Sequence, residues 1–296
     1  MNLKGYIQMT FKLITNGDSW TFGSEIIDPI LINKYPNKSH LTEYDLIEEN
    51  DSYRMVRIWP TYLANIMNSE VINLAYPGDD NGSILRRTLS YITHNFIKKN
   101  IPTDDIIVII GWSSPERHSL WYDNGKVSYP LRIWPNHPIQ HGEHRAAWEY
   151  YVSNLWNPEE YIRRFVFDAL QFENFCVKYK IKFLQFNSFY QTTKTNIPEW
   201  PDLNISSEIS KLKADSYSFN ISTSDQRRSE NIDYLSLWNT IDPINFYYKD
   251  KPNNTFKSFI DNKRTDPYNK TWHPSPEAHM DWAEELHRYM TYNKII

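Results

Sequence analysis

The sequence predicts an α/β protein: a three-layer α/β/α sandwich around a mainly parallel central sheet. Short apolar runs alternate along the chain with segments of helical period, the pattern of layered α/β architectures. The strongest run, Ile106 to Ile110, is five consecutive β-branched residues, which suits a strand covered on both faces. No internal repeat or linker breaks this alternation. Residues 1–296 are therefore read as one domain, with two aromatic-rich insertions at about 114–143 and 190–260.

Each element has its own local reason. Phe11 to Asn16 is an apolar run stopped by Gly17-Asp18-Ser19, a strand feeding a turn. Trp59-Pro60 opens a helix through Tyr62, Leu63, Ile66 and Met67, and Val71 to Ala75 is a second strand, ended by Pro77-Gly78. From Ser83, Leu85, Leu89, Ile92 and Phe96 recur at steps of three and four, the spacing of an amphipathic helix. Ile106 to Ile110 is the third strand. Residues 157–180 read as a long helix with Asn157 as N-cap, Pro158 in its first turn, and Glu159 and Glu160 complementing the dipole. Lys182 to Asn187 is the fourth strand, and Ser275-Pro276-Glu277 opens a last helix to about residue 290.

Composition narrows the function classes. The chain is 40% hydrophobic and 23% charged, a globular composition, and its formal charge of −4 leaves no basic footprint for nucleic acid. The single cysteine, Cys176, excludes an intramolecular disulfide framework and a cysteine-based zinc site. No apolar run is long enough for a membrane span, and Met1 to Met9 lacks the pattern of a signal peptide. The expected location is the cytoplasm or a virion, with no membrane or nucleic-acid partner. The sequence leaves the oligomeric state open.

Four blocks could carry chemistry. Gly17-Asp18-Ser19-Trp20 follows the first strand, where open α/β sheets place their ligands. Taken alone, such a block is usually just a turn. Gly78 follows the second strand, where a backbone without a side chain can approach a ligand and donate its N–H. Gly111-Trp112-Ser113-Ser114-Pro115-Glu116-Arg117 follows the third strand. His273-Pro274-Ser275-Pro276 precedes the last helix. With Ser275 as N-cap, His273 falls on the connecting loop. His279 instead joins the stripe of Trp282, Ala283, Leu286 and Met290, where a packed histidine is expected.

In this order the blocks resemble the SGNH (GDSL-like) hydrolase family over about residues 10–115, 157–190 and 270–292. The Gly-Asp-Ser-Trp and His-Pro-Ser-Pro wording resembles that of viral members. The resemblance implies the flavodoxin-like sandwich and ester hydrolysis, with Ser19 as nucleophile and His273 as base. It further implies that the N–H groups of Ser19 and Gly78 hold the oxyanion. A serine hydroxyl needs such a base to become nucleophilic, and histidine titrates in the useful range. Two positions depart from the family pattern. Ser113, whose hydroxyl could still donate to the oxyanion, stands where the family has an oxyanion-hole Asn, and Lys270 stands where it has the Asp that orients the histidine. Losing one oxyanion donor typically costs about 10²–10³ in rate. Asp266, Asp261 or a main-chain carbonyl could serve in place of the absent Asp. These departures keep a catalytically degenerate binding or virion structural protein open as the rival reading.

The substrate expected is a small-molecule or glycan ester, with a carbohydrate O-acyl group such as O-acetyl favoured, and no cofactor or metal is required. Trp20, Trp112 and Arg117 are the candidate substrate-binding residues. His137, His141 and His144 could ligate zinc if their segment folded suitably, but a surface grouping or a cleft lining fits them better. Aromatics such as Trp121, Trp134, Trp200, Trp238 and Tyr247 either build small cores for the insertions or form stacking platforms.

Overall fold

The computed structural model describes residues 11–38, 40–115, 117–123, 128–133, 158–189, 234–251, 254–269 and 272–296. Four parallel strands form its main sheet: β1 (Lys12–Asn16), β2 (Glu70–Asn73), β3 (Ile106–Trp112) and β6 (Lys182–Asn187), in the order β2-β1-β3-β6. Ile14 pairs with Ile72 on one side and Val108 on the other, and Ile109 pairs with Leu184. An antiparallel hairpin, β4 (His118–Asp123) and β5 (Ser128–Ile133), leaves the end of β3. The α/β sandwich expected from the sequence is therefore present.

The helices are α1 (Ser19–Phe22), α2 (Pro29–Lys34), α3 (Glu48–Met55), α4 (Trp59–Met67), α5 (Asn81–Asn95), α6 (Pro158–Lys178), α7 (Tyr234–Thr240), α8 (Phe256–Lys263) and α9 (Pro276–Tyr292). Side chains of β3 alternate between two cores, as the period of a strand requires. Ile106, Val108, Ile110 and Trp112 meet α5, α6 and α7 on one face. Ile107 and Ile109, with Leu13, Leu184 and Phe186, meet α4, α8 and α9 on the other. Each such buried aliphatic side chain contributes roughly 1.5–3 kcal/mol relative to exposure. Both faces are covered, so the apolar run in β3 has no polar alternation.

The described residues of 234–263 pack into the two cores that flank the sheet. Trp238, Ile241 and Phe246 enter the same core as β3, and Tyr247, Phe256 and Ile260 enter the other. Phe246 and Thr255 form parallel bridges with Gln185 and Asn187, continuing the sheet beyond β6. Their helices span only seven and eight residues, too short for a helical period to stand out in the sequence. Residues 190–233 and most of 124–157, with His137, His141, His144, Trp134 and Trp200, lie outside the described residues. Among the described residues no helix is long and apolar enough to cross a membrane.

Candidate active site

All four strands of the main sheet are parallel, so the loops after β1, β2 and β3 emerge at one edge. Their polar groups lock together there. Asn16 donates from Nδ2 to the Ile84 carbonyl and to Thr88 Oγ1, both at 2.9 Å, while its Oδ1 accepts the Gly17 N–H. Gly17 is obligatory for a steric reason: a Cβ there would sit 2.3 Å from Thr21 Oγ1 and 2.9 Å from the Gly111 carbonyl. Asp18, fully buried, caps α1 by accepting the Trp20 N–H at 3.0 Å. Its other oxygen accepts from Ser113 Oγ at 2.8 Å and Arg117 Nη1 at 3.1 Å. Asn81 joins the second block to the third, accepting the Ser113 N–H at 2.8 Å and donating to its carbonyl at 3.2 Å.

Ser19 is the first residue of α1 and only 7% exposed. The first amides of a helix have no intrahelical partner. Gly23 ends this single turn at φ 83°, and Ser24 N–H closes it onto the Ser19 carbonyl at 2.9 Å. The chain then turns through Glu25, itself at φ 66°. Its N–H donates to the buried Asp45 carboxylate at 2.7 Å.

His273 arrives from the far end of the chain. Asn269 donates its N–H to the His273 carbonyl at 2.7 Å, and Ser275 donates to the Pro267 carbonyl at 2.8 Å, which fixes the loop. Ser275 then caps α9, with Pro276 in the first turn. His273 Nδ1 lies 3.2 Å from Glu25 Oε1. The distance is that of an ion pair, and no hydrogen bond accompanies it. Asp45, behind Glu25, has its carboxyl pushed up by burial, against the Glu25 N–H that pulls it down.

A cavity of about 360 Å³ opens in front of these groups, lined by Ser19, Trp20, Arg117, Phe189, Lys257, Tyr268, Trp272 and His273. The Ser19 hydroxyl and the His273 imidazole thus border one cavity, with the Glu25 carboxylate beside the imidazole. Serine, histidine and carboxylate are the groups that acyl-transfer chemistry uses. Trp20 and Arg117, the candidate substrate-binding residues, are among the residues lining the cavity. Gly78, at φ 74°, follows β2 at the same edge of the sheet but is not among the cavity's lining residues.

Four residues that the sequence offered for the site are placed otherwise by the structure. Trp112 is 0% exposed; its indole donates to Gln185 Oε1 at 3.0 Å and its ring packs on Phe165 and Phe172, so it belongs to the core. Ser113 gives its hydroxyl hydrogen to Asp18, which leaves no donor for an oxyanion. Asp266 is exposed, and the carboxylate beside His273 is that of Glu25. Asp261 is occupied by Lys257 and Tyr268. Sequence reasoning missed Glu25 because its signal, six residues past the serine, was confined to the glycine that bends the chain at Gly23.

His279 is buried in α9, and its Nδ1 accepts the Trp59 N–H at 3.2 Å. Burial, aided by His273, lowers its pKa to about 3, so the ring is neutral.

A second cavity of about 240 Å³ shares Arg117 and is also lined by Asp80, Arg86, Tyr161, Arg164 and Asp168. Burial, with the Asp80 charge, raises the Asp168 carboxyl to about 7, against the pull of Arg86 and Arg164. Its proton is therefore held more tightly folded than unfolded, and stability falls as pH rises from near 4 to near 7. Asp168→Asn is expected to raise Tm at pH 8 and to change it far less at pH 4.5, as read by calorimetry at the two values. Equal shifts would contradict this assignment.

A model described as a family of unknown function, DUF6071, matches residues 43–199 of the 296. No curated protein matches the sequence. Among solved structures, the chain is similar to a carbohydrate esterase family 2 enzyme with a carbohydrate-binding domain from Corynascus thermopiles (Myceliophthora fergusii). There the TM-score is 0.44 and the identity 10%, over 96% of this chain and 66% of that one. The psychrotrophic esterase EstA of a Pseudoalteromonas species gives 0.42 and 11%, over 95% and 97%. A GDSL-like lipase of Bacteroides thetaiotaomicron VPI-5482 gives 0.38 and 10%, over 95% and 88%.

Proposed function

Because the chain belongs to DUF6071, a family of unknown function, we propose from the chemistry of its own site that it is a serine esterase. The substrate class favoured is a carbohydrate O-acyl ester such as an O-acetyl ester. One observation carries the reading: Ser19 and His273 line the same cavity, and the buried Glu25 carboxylate lies 3.2 Å from His273 Nδ1.

Ser19 Oγ attacks the ester carbonyl while His273 takes its proton on Nε2. Glu25 holds Nδ1 and stabilises the imidazolium that forms. Negative charge develops on the carbonyl oxygen, for which the N–H groups of Ser19 and Gly78 are the donors. The alcohol leaves with the proton from His273, and the acyl group remains on Ser19. Water then enters, loses a proton to His273 and attacks the acyl carbon; as the intermediate collapses, Ser19 Oγ takes that proton back from His273 and the carboxylic acid leaves. Asp18 and Ser113 act one step back, setting the pitch of α1 through the cap and the Arg117 contact.

A fluorophosphonate probe is expected to label the wild-type protein and to leave Ser19→Ala unlabelled, measured by intact-protein mass spectrometry. No labelling of either would favour the rival, a binding or virion structural descendant of the fold.

A further inference from the structure

Trp272 is the residue beside His273, and two of its properties are unusual together. Its side chain is in a residue 73% exposed, in a protein that otherwise buries most of its described tryptophans. Its backbone sits at φ 75°, a region that bulky side chains rarely occupy and that concentrates at binding and catalytic sites. The strain is held from both sides. Residues 267–269 and 272–275 are joined by the Tyr268–Pro274 bridge and by the Asn269–His273 and Ser275–Pro267 hydrogen bonds. Asn269 Nδ2 ties the same loop to the Glu25 carbonyl at 3.4 Å. These bonds hold His273, the residue after Trp272, so the exposed indole is carried on an anchored backbone, which lowers the entropy cost of using it.

The indole contacts the Tyr268 ring at 5.6 Å, and Tyr268 in turn contacts Trp20 at 5.9 Å. A row of rings thus runs from the cavity mouth to the residue next to Ser19. The described lining of the cavity contains these rings, Phe189 and two long cations, and no aliphatic side chain. A long acyl chain is bound by aliphatic walls. A pyranose is bound by flat rings, which meet its C–H face, and by polar groups that reach its hydroxyls. A cavity of about 360 Å³ is at the small end of ligand sites.

We propose that Trp272 is a specificity-determining platform that stacks the sugar ring carrying the scissile O-acyl group. Its place next to His273 delivers the ester to Ser19. The inference deepens the esterase reading, and its test separates the two.

Trp272→Ala and Trp272→Phe are compared with wild type on two substrates, p-nitrophenyl acetate and O-acetylated xylo-oligosaccharide. The same oligosaccharide is titrated calorimetrically into Ser19→Ala and into the Ser19→Ala/Trp272→Ala double variant. The alanine variant is expected to raise KM for the oligosaccharide about tenfold more than KM for p-nitrophenyl acetate, with phenylalanine recovering most of the loss. In the Ser19→Ala background, removing the indole is expected to weaken oligosaccharide binding by a similar factor. Equal losses on both substrates would reduce Trp272 to a residue that positions His273, and would overturn the proposal. Unchanged oligosaccharide binding in the double variant would overturn it too. If the wild type turns over neither substrate, the esterase reading fails, while the titration still decides the platform.

Discussion

His273→Ala is expected to lower the esterase rate on the order of 10³-fold or more while leaving Tm nearly unchanged. His273 lies on a loop whose backbone bonds, rather than its imidazole, hold the chain: the Asn269 N–H to its carbonyl and the Ser275 N–H to Pro267. Removing the ring deletes the proton acceptor and leaves those bonds in place. His279→Ala is expected to do the reverse. Its ring fills the core beside Phe256 at 5.7 Å and accepts the first amide of α4. Truncation leaves a cavity and an unpaired buried N–H, costing roughly 1–3 kcal/mol. A pH signature separates the two further. With His279 lowered to about 3 against about 6.5 unfolded, the unfolded chain binds the extra proton between those values. The stability from its neutral form is therefore complete above about 6.5 and is lost as pH falls toward 3. Melting curves of the wild type should show this acid slope, and those of His279→Ala a shallower one. If His279→Ala abolishes turnover in a folded protein while His273→Ala does not, the assignment of the base is wrong.

Glu25→Gln is the second large effect, expected to reduce kcat on the order of 10³-fold. The amide keeps the shape of the side chain but removes the charge that stabilises the imidazolium, and it can turn an N–H toward Nδ1, favouring the wrong tautomer. Asp266→Ala, by contrast, should leave the rate within about twofold, as an exposed surface substitution. A rate collapse in Asp266→Ala with Glu25→Gln near wild type would return the acid role to Asp266.

The two predictions differ in how far the sequence could reach. His273 was legible because a His-Pro followed by Ser-Pro is a local statement: the N-cap and the first-turn proline end the loop and start α9, which places the histidine outside the helix. Its separation from His279 was legible for the same reason, since a stripe at three- and four-residue steps must face the core. Ser19 was legible as a polar turn after an apolar strand. Glu25 was not. Its pairing with His273 spans 248 positions, the difference between 273 and 25, and depends on a left-handed turn at Gly23 and Glu25. Trp112 failed in the opposite direction, because a tryptophan just past a strand run reads as a loop residue until β3 is seen to extend through it.

Local pattern alone therefore determined the sheet-forming runs, the long helices, the Ser275 cap and the order of the site blocks, because each depends on neighbours within a turn or a strand. The tertiary structure decided which groups those blocks present to one another. It set Ser113 and Arg117 against Asp18, brought Glu25 to His273, sent Trp112 into the core and held Trp272 out at the cavity mouth. The physical reason is the range of the forces. Backbone propensity and periodicity act between adjacent residues, whereas a carboxylate finds its imidazole only after parallel strands have carried distant loops to the same edge of the sheet.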